Sequence, residues 1–261
     1  MSRKSSPVKE GWGHQVAMKK CHLCDTMATL RESHIIPDWY YRDEIRDFKH
    51  GGQFIDMSRE PASKHGRAIV YPLLCDACEQ RFGNWDNAAK RFVTAGEDAY
   101  GPWMLRFATS ISWRVLKYFS LTRDPASLHG VSHGETQETL DCWRDFLLHE
   151  KLSRRLSRHT QHLMRVGDDY RLRRIIGLSF EDDGSTHFVY ARFGAFGIAG
   201  IVRSTYKGWK TSKSRLYGSS GKLPAANYGP TDFLRCLVAL EKEYERRLRA
   251  HSAQDRTHSA R

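Results

Sequence analysis

The chain has 261 residues, a formal net charge of +12 and 40% hydrophobic residues, 11% of all residues being aromatic. That length accommodates one or two domains with a buried core, and the composition is that of a soluble globular protein. No window approaches the ~18 apolar residues of a membrane span, and Met1 to Lys20 lacks the apolar run of a signal peptide.

The charge favours a polyanionic partner, nucleic acid first, over a surplus of arginine that merely solubilises the surface. Of six cysteines, four stand in two Cys-x-x-Cys pairs, while Cys142 and Cys236 stand alone as small buried hydrophobes. This reads as metal binding in a reducing compartment, not as a disulfide framework, and points to the cytoplasm.

Residues 1–18, with Lys4, Pro7, Lys9 and Gly11, read as a flexible basic arm. The first pair follows as Cys21-His22-Leu23-Cys24, then a strand through Arg31-Glu32-Ser33-His34-Ile35-Ile36 that Pro37 ends. A short helix is expected over Asp38–Phe48 with Asp38 at its cap, then a loop over 49–66 with Gly51-Gly52 and Pro61. Ile69 to Leu74 reads as a second strand, leading into Cys75-Asp76-Ala77-Cys78.

A helix should begin near Asp76 and run to about Thr94, since Phe82, Trp85, Ala89, Phe92 and Val93 recur at helical spacing. Glu79 falls in its first turn, where an acidic residue also suits the helix dipole. Each cysteine pair can clamp one side of a tetrahedral zinc. Four thiolates from Cys21, Cys24, Cys75 and Cys78 would complete a closed structural site.

A second helix is expected over Pro102–Phe119, with Arg106, Arg114 and Lys117 off its apolar face, either solvated or meeting phosphate. Asp124 to Gly134 reads as a turn-rich link, and 135–157 as a third helix ending in the basic run Lys151 to Arg158. The period then changes. Leu163–Val166, Arg173–Phe180, Thr186–Arg192 and Gly197–Val202 read as a small antiparallel sheet, turning at Gly167-Asp168-Asp169 and Asp182-Asp183-Gly184.

The Gly-rich run from Gly194 to Gly200 lacks the Lys-Ser/Thr of a phosphate loop and reads as a packed strand with bulges. Residues 203–230 interleave Lys207, Lys210, Lys213, Arg215 and Lys222 with Trp209 and Tyr217. That pattern suits a groove for single-stranded nucleic acid or one tracking a nucleic-acid backbone, or equally an unliganded surface loop. Thr231 caps a last helix to about His251, before a disordered tail.

The cysteine pairs, with Ser33-His34-Ile35-Ile36-Pro37 between them and Leu74-Cys75-Asp76-Ala77-Cys78-Glu79 after, resemble the zinc-knuckle subset of the HNH (ββα-metal) endonucleases. The resemblance covers about a quarter of the chain. It implies an α+β fold, a zinc-braced ββα-metal motif followed by helices and a small antiparallel sheet. Residues 19–98 would form the zinc-knuckle domain, 99–252 an α+β accessory domain and 253–261 the tail. It further implies a metal-dependent endonuclease acting on DNA, with His34 as general base and Glu79 as ligand to a catalytic Mg²⁺ or Mn²⁺ beside the structural Zn²⁺.

Two positions depart from the family. Ser33 stands where an Asp or His usually binds the catalytic metal, and Val70 where an Asn is usual. A second ligand is left open among Glu32, Ser33, Asn84 and Asp86. A non-catalytic zinc-knuckle module binding nucleic acid or protein is therefore the alternative. Dependence on a protein partner or activator also stays open, and chains of this kind are associated with phage defence.

Overall fold

The computed structural model describes residues 18–46, 54–56, 63–65, 68–123, 130–165, 175–182, 184–193, 196–223 and 246. The expected N-terminal arm up to residue 17, Gly51-Gly52, Pro61, Gly167-Asp168-Asp169, Cys236, the Thr231–His251 helix apart from Arg246, and the tail lie outside them.

The first cysteine pair sits in the turn between β1 (Lys19–Lys20) and β2 (Met27–Ala28), which pair antiparallel. Asp25 closes that turn with φ +63°, a left-handed conformation that Asp tolerates better than most residues. β3 (Arg31–His34) then pairs antiparallel with β6 (Val70–Leu74), placing Arg31 opposite Leu74 and His34 opposite Val70. Among the described residues β6 has no partner strand on its other side, a place where Pro72 is tolerated.

Between the two strands come α1 (Asp38–Arg46), β4 (Phe54–Asp56) and β5 (Ser63–His65). The loop expected over 49–66 thus contains two strands: β4 finds a partner far along the chain, and β5 pairs back onto β4. β4 runs parallel to β9 (Ile175–Asp182).

α2 (Asp76–Ala95) follows β6 directly and ends where Gly96 takes φ +65°. β7 (Ala99–Tyr100) leads to α3 (Trp103–Thr122). α3 is buried on nearly every side between Met104 and Phe119, not along one stripe as its spacing suggested. It packs against α2, against α4 (His133–His149), and against strands of the large sheet. Its buried hydroxyls are satisfied at home: Thr109 Oγ1 donates to Leu105 O at 2.7 Å and Ser110 Oγ to Phe107 O at 2.8 Å.

α4 opens with a capping box, Ser132 and Glu135 bonding each other's backbone N–H. It stops at His149, earlier than the expected end at 157. Glu150 adopts φ +57°, its N–H bonds Phe146 O at 2.7 Å, and Arg106 holds its carboxylate at 2.8 Å. The basic run from Lys151 to Arg158 therefore follows the helix as a series of turns.

The large sheet has the order β5-β4-β9-β10-β11-β8, where β8 is Gln161–Arg165, β10 Thr186–Phe193 and β11 Phe196–Ser204. All neighbours are antiparallel except β4 with β9. Four of these strands match the expected ones within two residues; β4 and β5 enlarge the sheet from six score residues earlier. At Gly200 of β11 a side-chain carbon would come within 2.5 Å of Ser112 Oγ, so glycine lets α3 lie close against the sheet. The apolar core is one cluster that takes in Cys21 and Leu23, Phe82, Trp113, Trp143, Leu178 and Ile198.

Candidate metal centre and the histidine strand

Cys75 caps α2, so Cys75 and Cys78 stand one helical turn apart and face the same way. The β1–β2 turn brings Cys21 and Cys24 against them. All four sulfurs lie within 4.8 Å of one another, and Cys24 Sγ is 3.7 Å from Cys75 Sγ. A tetrahedral zinc with bonds of about 2.3 Å separates its sulfurs by about 3.8 Å. The donor set and its spacing fit that ion.

The cluster is buried apart from Cys24, which is half-exposed. Its backbone is tied down independently of any ion. Cys75 N–H donates to Cys21 Sγ at 3.3 Å, His22 N–H to Leu73 O at 3.0 Å, and Asp25 N–H to Cys21 O at 3.0 Å. The Cys78 thiol beside Cys21 holds Cys21 down at about 4, and the same contact pushes Cys78 up. Burial pushes Cys75 up as well. Four crowded sulfurs cannot all carry charge alone, which is the condition a divalent cation relieves.

Asp25 is held by Lys20 at 3.1 Å and by Arg144 of α4, fixing the turn to the helical layer. Behind it lies a pocket of about 210 Å³ lined by His22, Lys117, Asp141 and Arg144. His22 is not a ligand there; burial, then Lys117, holds its imidazole below the usual range.

His34 ends β3 at the opposite end from the cysteines, about 10 Å away by the rise of a strand. Its side chain is 35% exposed, and Nε2 lies 3.4 Å from Asp38 Oδ1. Asp38 is placed there by the bend at Ile35-Ile36 ahead of Pro37 and is gripped by Arg42 at 2.8 Å. The His34 carbonyl accepts a bond from Arg114 Nη1 at 2.9 Å, and Arg114 also holds Asp86 through two nitrogens at 2.8 and 3.2 Å. Expected at a solvated or phosphate-facing position, Arg114 is instead 3% exposed. Burial pushes the Asp86 carboxyl up while Arg114 and His34 pull it down.

The four open candidates for a second metal ligand therefore separate. Asp86 is engaged by Arg114, and Asn84 is exposed in a groove with Arg81 and Glu150. Ser33 is 1% exposed and donates to Arg31 O. Glu32 is exposed and, two residues from His34, shares its strand face. Glu79 sits in the first turn of α2, with Oε1 buried and without a hydrogen-bond partner. Among the described residues, no group of three or more His, Cys, Asp or Glu beyond the cysteines converges on an ion.

The sequence reading placed Asp38 at a helix cap and Arg114 off an apolar face, and missed the contact of each with His34. The i,i+4 spacing of His34 and Asp38 across Pro37 was the available signal for the first. Nothing local marked the second. No protein-family model matches this chain, and neither a curated protein nor a solved structure does. Among the described residues no helix is long and apolar enough to cross a membrane.

Proposed function

We propose that this chain is an HNH-type endonuclease that hydrolyses DNA phosphodiester bonds, with His34 as general base over a structural zinc. The observation that carries this reading is the setting of His34. It is a half-exposed imidazole at the end of a short antiparallel pair, followed by a helix that springs from a four-cysteine cluster. The antiparallel β3–β6 pair leading into α2, with α1, β4 and β5 inserted between its strands, supports the ββα-metal reading that the motif suggests.

Asp38 fixes the imidazole through Nε2, leaving Nδ1 to take a proton from an attacking water. The resulting hydroxide adds to phosphorus and the P–O bond to the leaving oxygen breaks. Arg114 keeps the His34 backbone from shifting as the ring changes charge. Glu79 offers a buried carboxylate oxygen with no other partner to Mg²⁺ or Mn²⁺. One or two protein carboxylates suffice for such an ion, which keeps waters and draws other ligands from substrate phosphate. When bound, it would stabilise charge on the scissile phosphate.

A second reading has its own support. Ser33, at the position where the family's acidic or histidine ligand would stand, is buried and bonded to Arg31 O. A zinc-knuckle binding module without chemistry accounts for that. Plasmid cleavage with Mg²⁺ or Mn²⁺ separates the two, comparing the unaltered protein with His34→Ala at equal zinc content. Nicking that disappears in zinc-replete His34→Ala protein supports the nuclease. DNA binding by both proteins with no cleavage by either supports the module.

A further inference from the structure

Two stretches of the chain, 151–165 and 203–223, contain several cations and not one Asp or Glu. The fold brings them together. β8 is an outer strand of the large sheet, and the second stretch lies along its edge. Leu163 N–H donates to Ser214 O at 2.9 Å, and Leu216 N–H to Gln161 O at 2.8 Å. At Gly218 a side-chain carbon would come within 2.6 Å of Leu152, so the stretches touch there.

From the first stretch Lys151, Arg154, Arg155 and Arg158 are exposed. From the second Lys207, Lys210, Lys213 and Lys222 are exposed, with Arg215 half-buried. Among the described residues none of these has a carboxylate within ion-pairing distance. The cations at the margins of the stretches are paired, Arg165 with Asp98 and Arg203 with Glu135, and so are Arg31 with Asp76 and Arg106 with Glu150 outside them. Concentrated like charge repels itself, and a polyanion relieves it by releasing its own counterions.

The surface also holds a flat platform. Buried Trp209 anchors the segment, while Tyr217 is 52% exposed with the Arg215 guanidinium 4.8 Å from its ring centre. An aromatic ring backed by guanidinium stacks an unpaired base, which a duplex keeps within its own stack.

We propose that this surface binds single-stranded nucleic acid, its lysines and arginines following the phosphates and Tyr217 stacking a base. The inference is independent of the nuclease reading. Its test uses the full-length His34→Ala protein with its zinc and no added Mg²⁺ or Mn²⁺, so that cleavage plays no part.

Fluorescence anisotropy would follow a labelled oligothymidylate, a matched duplex and phosphatidylserine vesicles from about 50 to 200 mM salt. Tighter binding of the single strand than of either competitor is expected. Lys210→Glu/Lys213→Glu should weaken it at least about ten-fold and flatten the slope of log K against log salt by about 1.4, for two lost phosphate contacts. Lys210→Gln/Lys213→Gln should flatten it similarly, without introduced repulsion. Tyr217→Ala should cost about ten-fold on the single strand only, and Tyr217→Phe should restore it. The proposal is overturned if Lys19→Glu/Arg91→Glu weakens binding as much, if vesicles are preferred, or if no variant changes the affinity.

Discussion

Arg114 reaches from the middle of α3 to the main-chain carbonyl of His34, 80 residues earlier in the chain, at 2.9 Å. The same guanidinium is locked to Asp86 of α2, so strand, α2 and α3 meet on one buried cation. Removing its counter-ion strands the charge. Asp86→Ala should cost about 3–5 kcal/mol of stability, whereas the burial of both charges together contributes far less than that. Urea unfolding of the two proteins measures it, and a change below about 1 kcal/mol would mean the pair is solvated in solution.

Asp38 holds the His34 ring through Nε2 at 3.4 Å. Asp38→Asn keeps the side chain's shape and removes its charge, so zinc content and unfolding midpoint should stay unchanged. If His34 is the base, cleavage should fall about ten-fold, less than the roughly 10²–10⁴-fold that the base itself supplies, because Asp38 only orients the ring. Single-turnover rates at saturating Mg²⁺ or Mn²⁺ give the comparison, and equal rates would remove Asp38 from the site.

The cysteine cluster makes the sharpest structural prediction. Cys75→Ser removes one thiolate ligand while keeping the backbone N–H that donates to Cys21 Sγ and a residue type that suits the helix N-cap, so its effect isolates the metal. Metal analysis should find about one zinc per chain in the unaltered protein and a small fraction of that in the variant. Circular dichroism should show lost helix on chelation of the first and no further loss in the second.

His162 gives a pH dependence. It is fully buried between Thr160 and Ser214 hydroxyls, and burial holds its imidazole down at about 3. The unfolded chain binds a proton near pH 6.5, which the folded chain refuses until far lower. Stability is therefore complete above pH 6.5 and is lost as pH falls toward 3, by about 1.4 kcal/mol at pH 5.5. Thermal melts of the unaltered protein between pH 7.5 and 5.5 should slope accordingly. His162→Gln should be less stable throughout but visibly flatter. His159, also held below the usual range by burial, adds to the slope in both proteins.

Gly200→Ala tests the approach of α3 to the sheet. The added carbon meets Ser112 Oγ at 2.5 Å and Trp143 Cη2 at 2.9 Å, both in packed surroundings. A cost of about 1–3 kcal/mol is expected in chemical unfolding.

Much of this could be read from the residues in order. Helical spacing of Phe82, Trp85, Ala89 and Phe92 located α2 nearly to its ends, because an amphipathic period and a glycine stop are local signals. The cysteine spacing located the metal centre for the same reason. β4 could not be read, since three residues of backbone pairing with a strand more than a hundred residues away leave no local mark, and β5 owes its place to β4. Arg114 misled because a cation among apolar residues looks solvent-facing until its carboxylate appears on another helix. The early stop of α4 was hidden similarly: Glu150 in a left-handed conformation is held by Arg106, which periodicity does not register.

The parallel pairing of β4 with β9 also sets an order of assembly. The four sulfurs are all synthesised by residue 78, whereas the large sheet needs Phe54–Asp56 to wait for Ile175–Asp182. Contacts spanning that much chain form late, because a large loop must close before they reward it. During refolding, metal capture should therefore run ahead of sheet closure. A zinc indicator should register uptake before tryptophan fluorescence reaches its final value, and mixing order should matter: zinc added first should shorten the slow phase.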